Sequence, residues 1–140
     1  MLFRSALRAP ARSSLRVSVA AERLGDLEGL ADLVAASGRG IVRRSGGRPP
    51  LDEPADVLIW DMGTMVPRQL AWLGMLTANR PGLAVIVVDS FPRPETVLAA
   101  LQGGAAAVLG SPVSPESLAG ALLRLESAQP TGLGRPAPAP

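Results

Sequence analysis

Two uninterrupted apolar runs, Val57 to Trp60 and Leu83 to Val88, constrain this chain more than any other feature. A strand that is apolar on both faces must be covered on both faces, which is the situation of a central strand in a parallel sheet. Between the runs, Leu70, Leu73 and Leu76 recur at helical spacing, predicting a helix over 68–79 ended by Asn79-Arg80-Pro81-Gly82. The same alternation extends both ways. Residues 15–20 read as a short buried strand. Residues 23–37 read as an amphipathic helix, with Leu27, Leu30, Ala31 and Val34 on one face and Gly38 as its stop. A weaker strand follows at 41–43, and the third strand spans 56–60. Beyond the fourth strand, 94–102 reads as a helix closed by Gly103-Gly104, 106–109 as a strand, and 114–127 as a helix. The last has Ser114 at its N-cap, Pro115 at its first position and Glu116 in its first turn. This order predicts an α/β domain over 15–127 whose sites lie at the carboxyl ends of the strands.

The flanks differ. Residues 1–14 carry spaced arginines and no acid before Glu22, as a transit peptide can, but Pro10 interrupts the helical spacing. They read as an N-terminal extension. Residues 45–54 contain two Gly and three Pro and read as a loop. Residues 128–140, rich in Pro, Gly and Ala, read as a linker or tail, suggesting a further domain downstream.

Composition removes whole classes of chemistry. With no Cys there are no disulfides or thiolate metal sites, and with no His the commonest general base and metal ligand is missing. All 14 basic residues are Arg, so no lysine acts anywhere. The net charge of +2 is small, and the high pI follows from Arg without Lys or His rather than from a nucleic-acid surface. Two Trp, two Phe and no Tyr leave the core aliphatic, and no apolar run is long enough to span a membrane. Trp60 and Trp72 read as packing residues. Arg43, Arg44 and Arg48 read as a solvated basic cluster on a loop.

The third strand runs into a carboxylate, Asp61, followed by the small-residue loop M62-GT64. Three segments, L15-RVSVAAERLGDLEGL30, A55-DVLIWD61 and G103-GAAAVLGSPVSPESL118, together resemble the receiver domain of bacterial response regulators. The resemblance implies a flavodoxin-like (CheY-like) fold: five parallel strands in the order 2-1-3-4-5, with the second helix here shortened or absent, since 45–54 is too short for it. It places Asp61 at the phospho-acceptor position. The acid pair that holds Mg²⁺ in the family falls on Ala21 and Glu22, leaving Glu22 and Asp61 as a weak or absent Mg²⁺ site. The family's hydroxyl position falls on Asp89, with Ser90 beside it as a substitute. Its lysine falls on Ser111, before a proline where the family bears a cis peptide, and its switch aromatic on Val108.

Phosphoryl transfer to a carboxylate depends on positioning and charge neutralisation. Ala21 offers no metal ligand, Ser111 no cation and Val108 no aromatic lever. An acid at 89 would repel a phosphoryl group. These departures imply an atypical, or pseudo-, receiver: a cytoplasmic, non-enzymatic module that regulates an output domain, DNA-binding in many relatives, without standard aspartyl phosphorylation. The resemblance also implies a homodimer through the segments from Val97 to Gln102 and from Leu118 to Glu126. The alternatives are a conventional receiver phosphorylated at Asp61 and a stand-alone signalling adaptor. D61-MGT64 also echoes haloacid-dehalogenase-type phosphatases, but Gly63 stands where their second Asp does and the lysine they need is missing.

Overall fold

A computed structural model describes residues 15–38, 41–45, 48, 49, 51 and 54–128. The expected extension over 1–14 and the tail from 129 onward lie outside the described residues. Strands and helices alternate: β1 (Arg16–Ala21), α1 (Leu24–Ser37), β2 (Ile41–Ser45), β3 (Val57–Gly63), α2 (Pro67–Asn79), β4 (Ala84–Asp89), α3 (Pro94–Gln102), β5 (Ala107–Gly110) and α4 (Pro115–Ala128). The strands form one parallel sheet, ordered β2-β1-β3-β4-β5. The architecture is flavodoxin-like.

The apolar runs divide by strand alternation into two cores. Leu58, Trp60 and Met62 of β3 and Val85 and Val87 of β4 point to one side, against Leu73 and Leu76 of α2 and Ala100 of α3. Val57 and Ile59, with Ile86 and Val88, point to the other, against Leu30 and Val34 of α1 and Leu118 and Leu122 of α4. Helices α2, α3 and α4 each open on a proline, whose missing N–H costs nothing at a helix start. Ser114 accepts a hydrogen bond from the Ser117 N–H at 3.0 Å, capping α4. Gly38 ends α1 at φ +67°, a left-handed turn that glycine adopts without cost.

Several expected boundaries shift. β3 does not stop before Asp61. It continues to Gly63 through a register irregularity between Asp61 and Gly63, so the carboxylate sits within the strand. Arg43 and Arg44 belong to β2 rather than to a loop, and Arg44 pairs with Glu28 of α1 at 3.2 Å. α4 runs through Ala128, beyond the expected domain end. Leu27 and Leu70 are only partly buried.

None of the described residues between β2 and β3 is helical. Instead the segment is tied across α2. The Trp72 indole N–H donates to the Pro49 carbonyl at 2.9 Å, and the Arg80 guanidinium donates to the carbonyls of Leu51 and Ala55. Leu51 packs against the first core. At the amino end of the sheet, Asp56 accepts from the Arg16 backbone N–H at 2.8 Å and pairs with its guanidinium at 3.3 Å. That tie leaves the opposite end for the site. No helix among the described residues is long and apolar enough to cross a membrane.

Candidate functional site

The segments that follow β1, β3, β4 and β5 meet at the carboxyl end of the sheet and enclose a cleft of about 530 Å³. Asp61 lies in its floor, half-buried. Its Oδ1 accepts the Gly63 N–H at 2.9 Å. That contact needs the backbone to turn under the carboxylate, and Gly63 does so at φ +67°. Gln69, in the first turn of α2, donates to the Met62 carbonyl at 3.0 Å and accepts from the Val66 N–H at 3.0 Å, fixing the loop beyond.

The expected site residues separate into two groups. Glu22, Asp61, Ser90 and Ser111 all line the cleft. Asp89 and Val108 do not line it among the described residues. Asp89 is buried, 1% exposed, in register with Gly63 of β3 and Gly110 of β5, and its Oδ1 accepts the Phe91 N–H at 3.1 Å. The hydroxyl that reaches the cleft is therefore that of Ser90. Val108 is partly buried against the core on the α2 side. The Ser111–Pro112 peptide is cis.

The structure adds Arg23, Asp26 and Thr64 to the cleft wall. Sequence reading passed over the first two, although they lie where a helix opens at the carboxyl end of a parallel strand, a position that faces the mouth. The cleft accordingly holds a cation, Arg23, that a reading of the Lys position alone left out.

Electrostatics follow from this placement. Burial pushes the Asp61 carboxyl above the usual carboxylate range, and the Gly63 N–H opposes that. Asp26 and Asp89 raise it further, while Arg23 lowers it. A carboxyl raised in the folded state binds protons that the unfolded chain has already released. Its contribution to stability is therefore favourable at low pH and is lost as pH climbs through the window from 3.8 to the raised value. Asp61→Asn keeps an oxygen for the Gly63 N–H and removes the charge. Its Tm should exceed that of the parent at pH 7 and converge with it near pH 3. A gap independent of pH would contradict this electrostatic account.

Ala21 is in register with Asp61 across the β1–β3 pair and presents a methyl. Among the described residues no three His, Cys, Asp or Glu side chains come close enough to hold an ion. Mg²⁺ takes an octahedron of oxygens and keeps several waters where one or two carboxylates hold it, so Glu22 and Asp61 are the side chains that would supply oxygens here.

No model of a known protein family matches this sequence, and no curated protein does. Solved structures do. A pilus assembly-related protein of Burkholderia pseudomallei is 30% identical, with a TM-score of 0.79 over 88% of this chain and 98% of that one. The pilus assembly protein cpaE of Burkholderia thailandensis is 32% identical, with a TM-score of 0.75 over 81% of this chain and 98% of that one. The signal receiver domain of the Mycobacterium tuberculosis response regulator NarL shares the fold at 20% identity, with a TM-score of 0.69 over 84% of this chain and 99% of that one.

Proposed function

We propose, for a chain that belongs with the Burkholderia pilus assembly-related proteins and has the CheY-like receiver fold, that it is an atypical receiver signalling by contact rather than by phosphorylation. The observation that carries this reading is the pairing of Asp61 with Ala21, which puts a methyl where the family has an acid. A phosphoryl donor approaching Asp61 would also meet Asp26 and Glu22, with Arg23 as the cleft's cation. Like charges there oppose a further anion, an effect that solvent weakens because both acidic side chains are exposed. Ser111 offers a hydroxyl where the family has an ammonium, and Val108 has no ring to swing inward.

Incubating the protein with Mg²⁺ and acetyl phosphate tests this directly. We expect no stoichiometric mass gain. A gain of one phosphoryl group that disappears in Asp61→Asn would end the reading.

The partner setting follows from the relatives. Two solved structures at 30% identity or above are named for pilus assembly, so the output we propose is contact with a protein of that apparatus, in the cytoplasm, in preference to a DNA-binding domain. The module is non-catalytic in this reading. Self-association would use α3 and α4, where Leu98 is 55%, Leu101 44% and Leu123 46% exposed. Exposed leucines on two helices favour a packed helical interface. The expected result is a homodimer in size-exclusion with light scattering at micromolar concentrations, without phosphate, and a monomer for Leu101→Asp. A parent protein that elutes as a monomer throughout would contradict the dimer.

A further inference from the structure

Among the described helices α3 is the least anchored. Its nine residues bury one side chain, that of Ala100. By contrast α1 buries Leu30, Ala31 and Val34, α2 buries Leu73 and Leu76, and α4 buries Leu118, Ala121 and Leu122. A helix this short is marginal by itself, and a buried methyl group holds it weakly. Yet α3 displays Leu98 and Leu101 to solvent. Ties other than apolar packing must set where that face points. We propose that Asp89 and Thr77 form a two-ended clamp that fixes α3, and with it the leucine face, independently of the Asp61 cleft.

The head of α3 is tied through the loop that follows β4. Asp89 is 1% exposed, and its Oδ1 accepts the Phe91 N–H at 3.1 Å. The Asp89 carbonyl accepts the Ser111 N–H at 3.0 Å, so one residue holds both this loop and the end of β5. Pro92 and Pro94 restrict the backbone beyond Phe91. The Thr96 hydroxyl then bridges the N–H and the carbonyl of Arg93, at 3.1 and 2.9 Å, and closes the first turn. The tail of α3 is tied to α2. The Thr77 hydroxyl lies 2.9 Å from the Gly103 carbonyl and 3.0 Å from the Leu73 carbonyl of its own helix, a donor shared between the two helices. Just past it, the Ala105 N–H donates to the Ala100 carbonyl and the Ala106 N–H to the Val85 carbonyl, returning the chain to the sheet. Both clamp residues stand on elements with apolar cores of their own, β4 and α2, and each reaches the backbone flanking α3. Neither contact uses an atom of Asp61. With so little apolar burial, the opening of α3 depends on these polar ties.

The clamp itself does not rest on the phosphorylation reading; only the use of the leucine face by a second copy rests on the self-association reading above. Native-state amide hydrogen exchange of the full chain, followed by NMR, keeps the two apart. Protection of α3 that grows with protein concentration reports dimerisation, so the clamp is read at dilutions where the rates have stopped changing. We expect Asp89→Ala and Thr77→Ala each to speed exchange of the amides from Val97 to Gly103 by about fivefold or more, beyond any change in α1 and α4. Thr77→Ser keeps the hydroxyl and Asp89→Asn keeps an oxygen for the Phe91 N–H. Both should stay within about twofold of the parent by the same measure, and so should Asp61→Asn. A role in overall stability alone would move all the helices together. Equal acceleration across α1, α3 and α4 would overturn the proposal. So would absence of the α3-specific effect in either alanine variant, or a response to Asp61→Asn as large as that to Thr77→Ala.

Discussion

Gly104→Ala is expected to lower the unfolding free energy by about 2–4 kcal/mol. Gly104 holds φ +109°, a conformation that side-chain-bearing residues adopt only at a cost of about 1–2 kcal/mol. Space compounds the problem. A Cβ added there would lie 2.5 Å from the Thr77 Oγ1, 2.8 Å from its Cβ and 2.9 Å from its Cγ2. Thr77 cannot simply turn aside. Its hydroxyl donates within reach of the Leu73 carbonyl at 3.0 Å and the Gly103 carbonyl at 2.9 Å, tying the middle of α2 to the end of α3. Relief means breaking that tie or shifting a helix. The neighbouring glycine is the control. Gly103 lies at φ −79°, and its Cβ would meet the Ala99 carbonyl oxygen at 3.3 Å. Gly103→Ala should therefore cost well under half as much. Urea denaturation of both variants decides the matter, and a Gly104→Ala variant within about 0.5 kcal/mol of the parent would refute the clash.

Leu73→Ala should cost about 3–5 kcal/mol, through lost transfer energy and the cavity left behind. Leu73 is fully buried in the core shared with Trp60, Leu76, Val85, Val87 and Ala100. One of its methyls also lies 3.4 Å from where a Cβ on Gly103 would stand, so it fills the corner where α2 meets α3. The surrounding strands are hydrogen-bonded on both sides and cannot close over the gap. Leu98→Ala, on an exposed face, should change stability by less than about 0.5 kcal/mol in the monomer. A similar loss for both would mean that the core on the α2 side is not the one described.

Much of this architecture is legible in the order of residues because it rests on short-range rules. Continuous apolar runs require two covered faces, and β3 and β4 have them. Proline openings and Gly38 mark helix ends through local backbone preference alone. The chain is less legible where a side chain's fate depends on register. A strand read as stopping before Asp61 instead runs on to Gly63, because the irregularity beside Gly63 depends on pairing with β4. Asp89 and Ser90 differ by one position, and alternation sends one inward and the other to the cleft. Arg23 and Asp26 become cleft residues only once the first turn of α1 is placed over the end of β1. The seating of Pro49, Leu51 and Ala55 by α2 rests on carbonyls accepting from Trp72 and Arg80, and backbone acceptors have no sequence signature at all.

The sheet ends at β5, which is only four residues long, Ala107–Gly110. Its outer row of amide and carbonyl groups is correspondingly brief, with Gly104 in a left-handed bend ahead of it and Pro112, which has no N–H to lend, just past it. A border that short gives a passing extended chain little to zip onto. Copies of this protein crowded together have little means of growing a continuous ribbon through this margin, and the apolar surface exposed nearby belongs to helices instead.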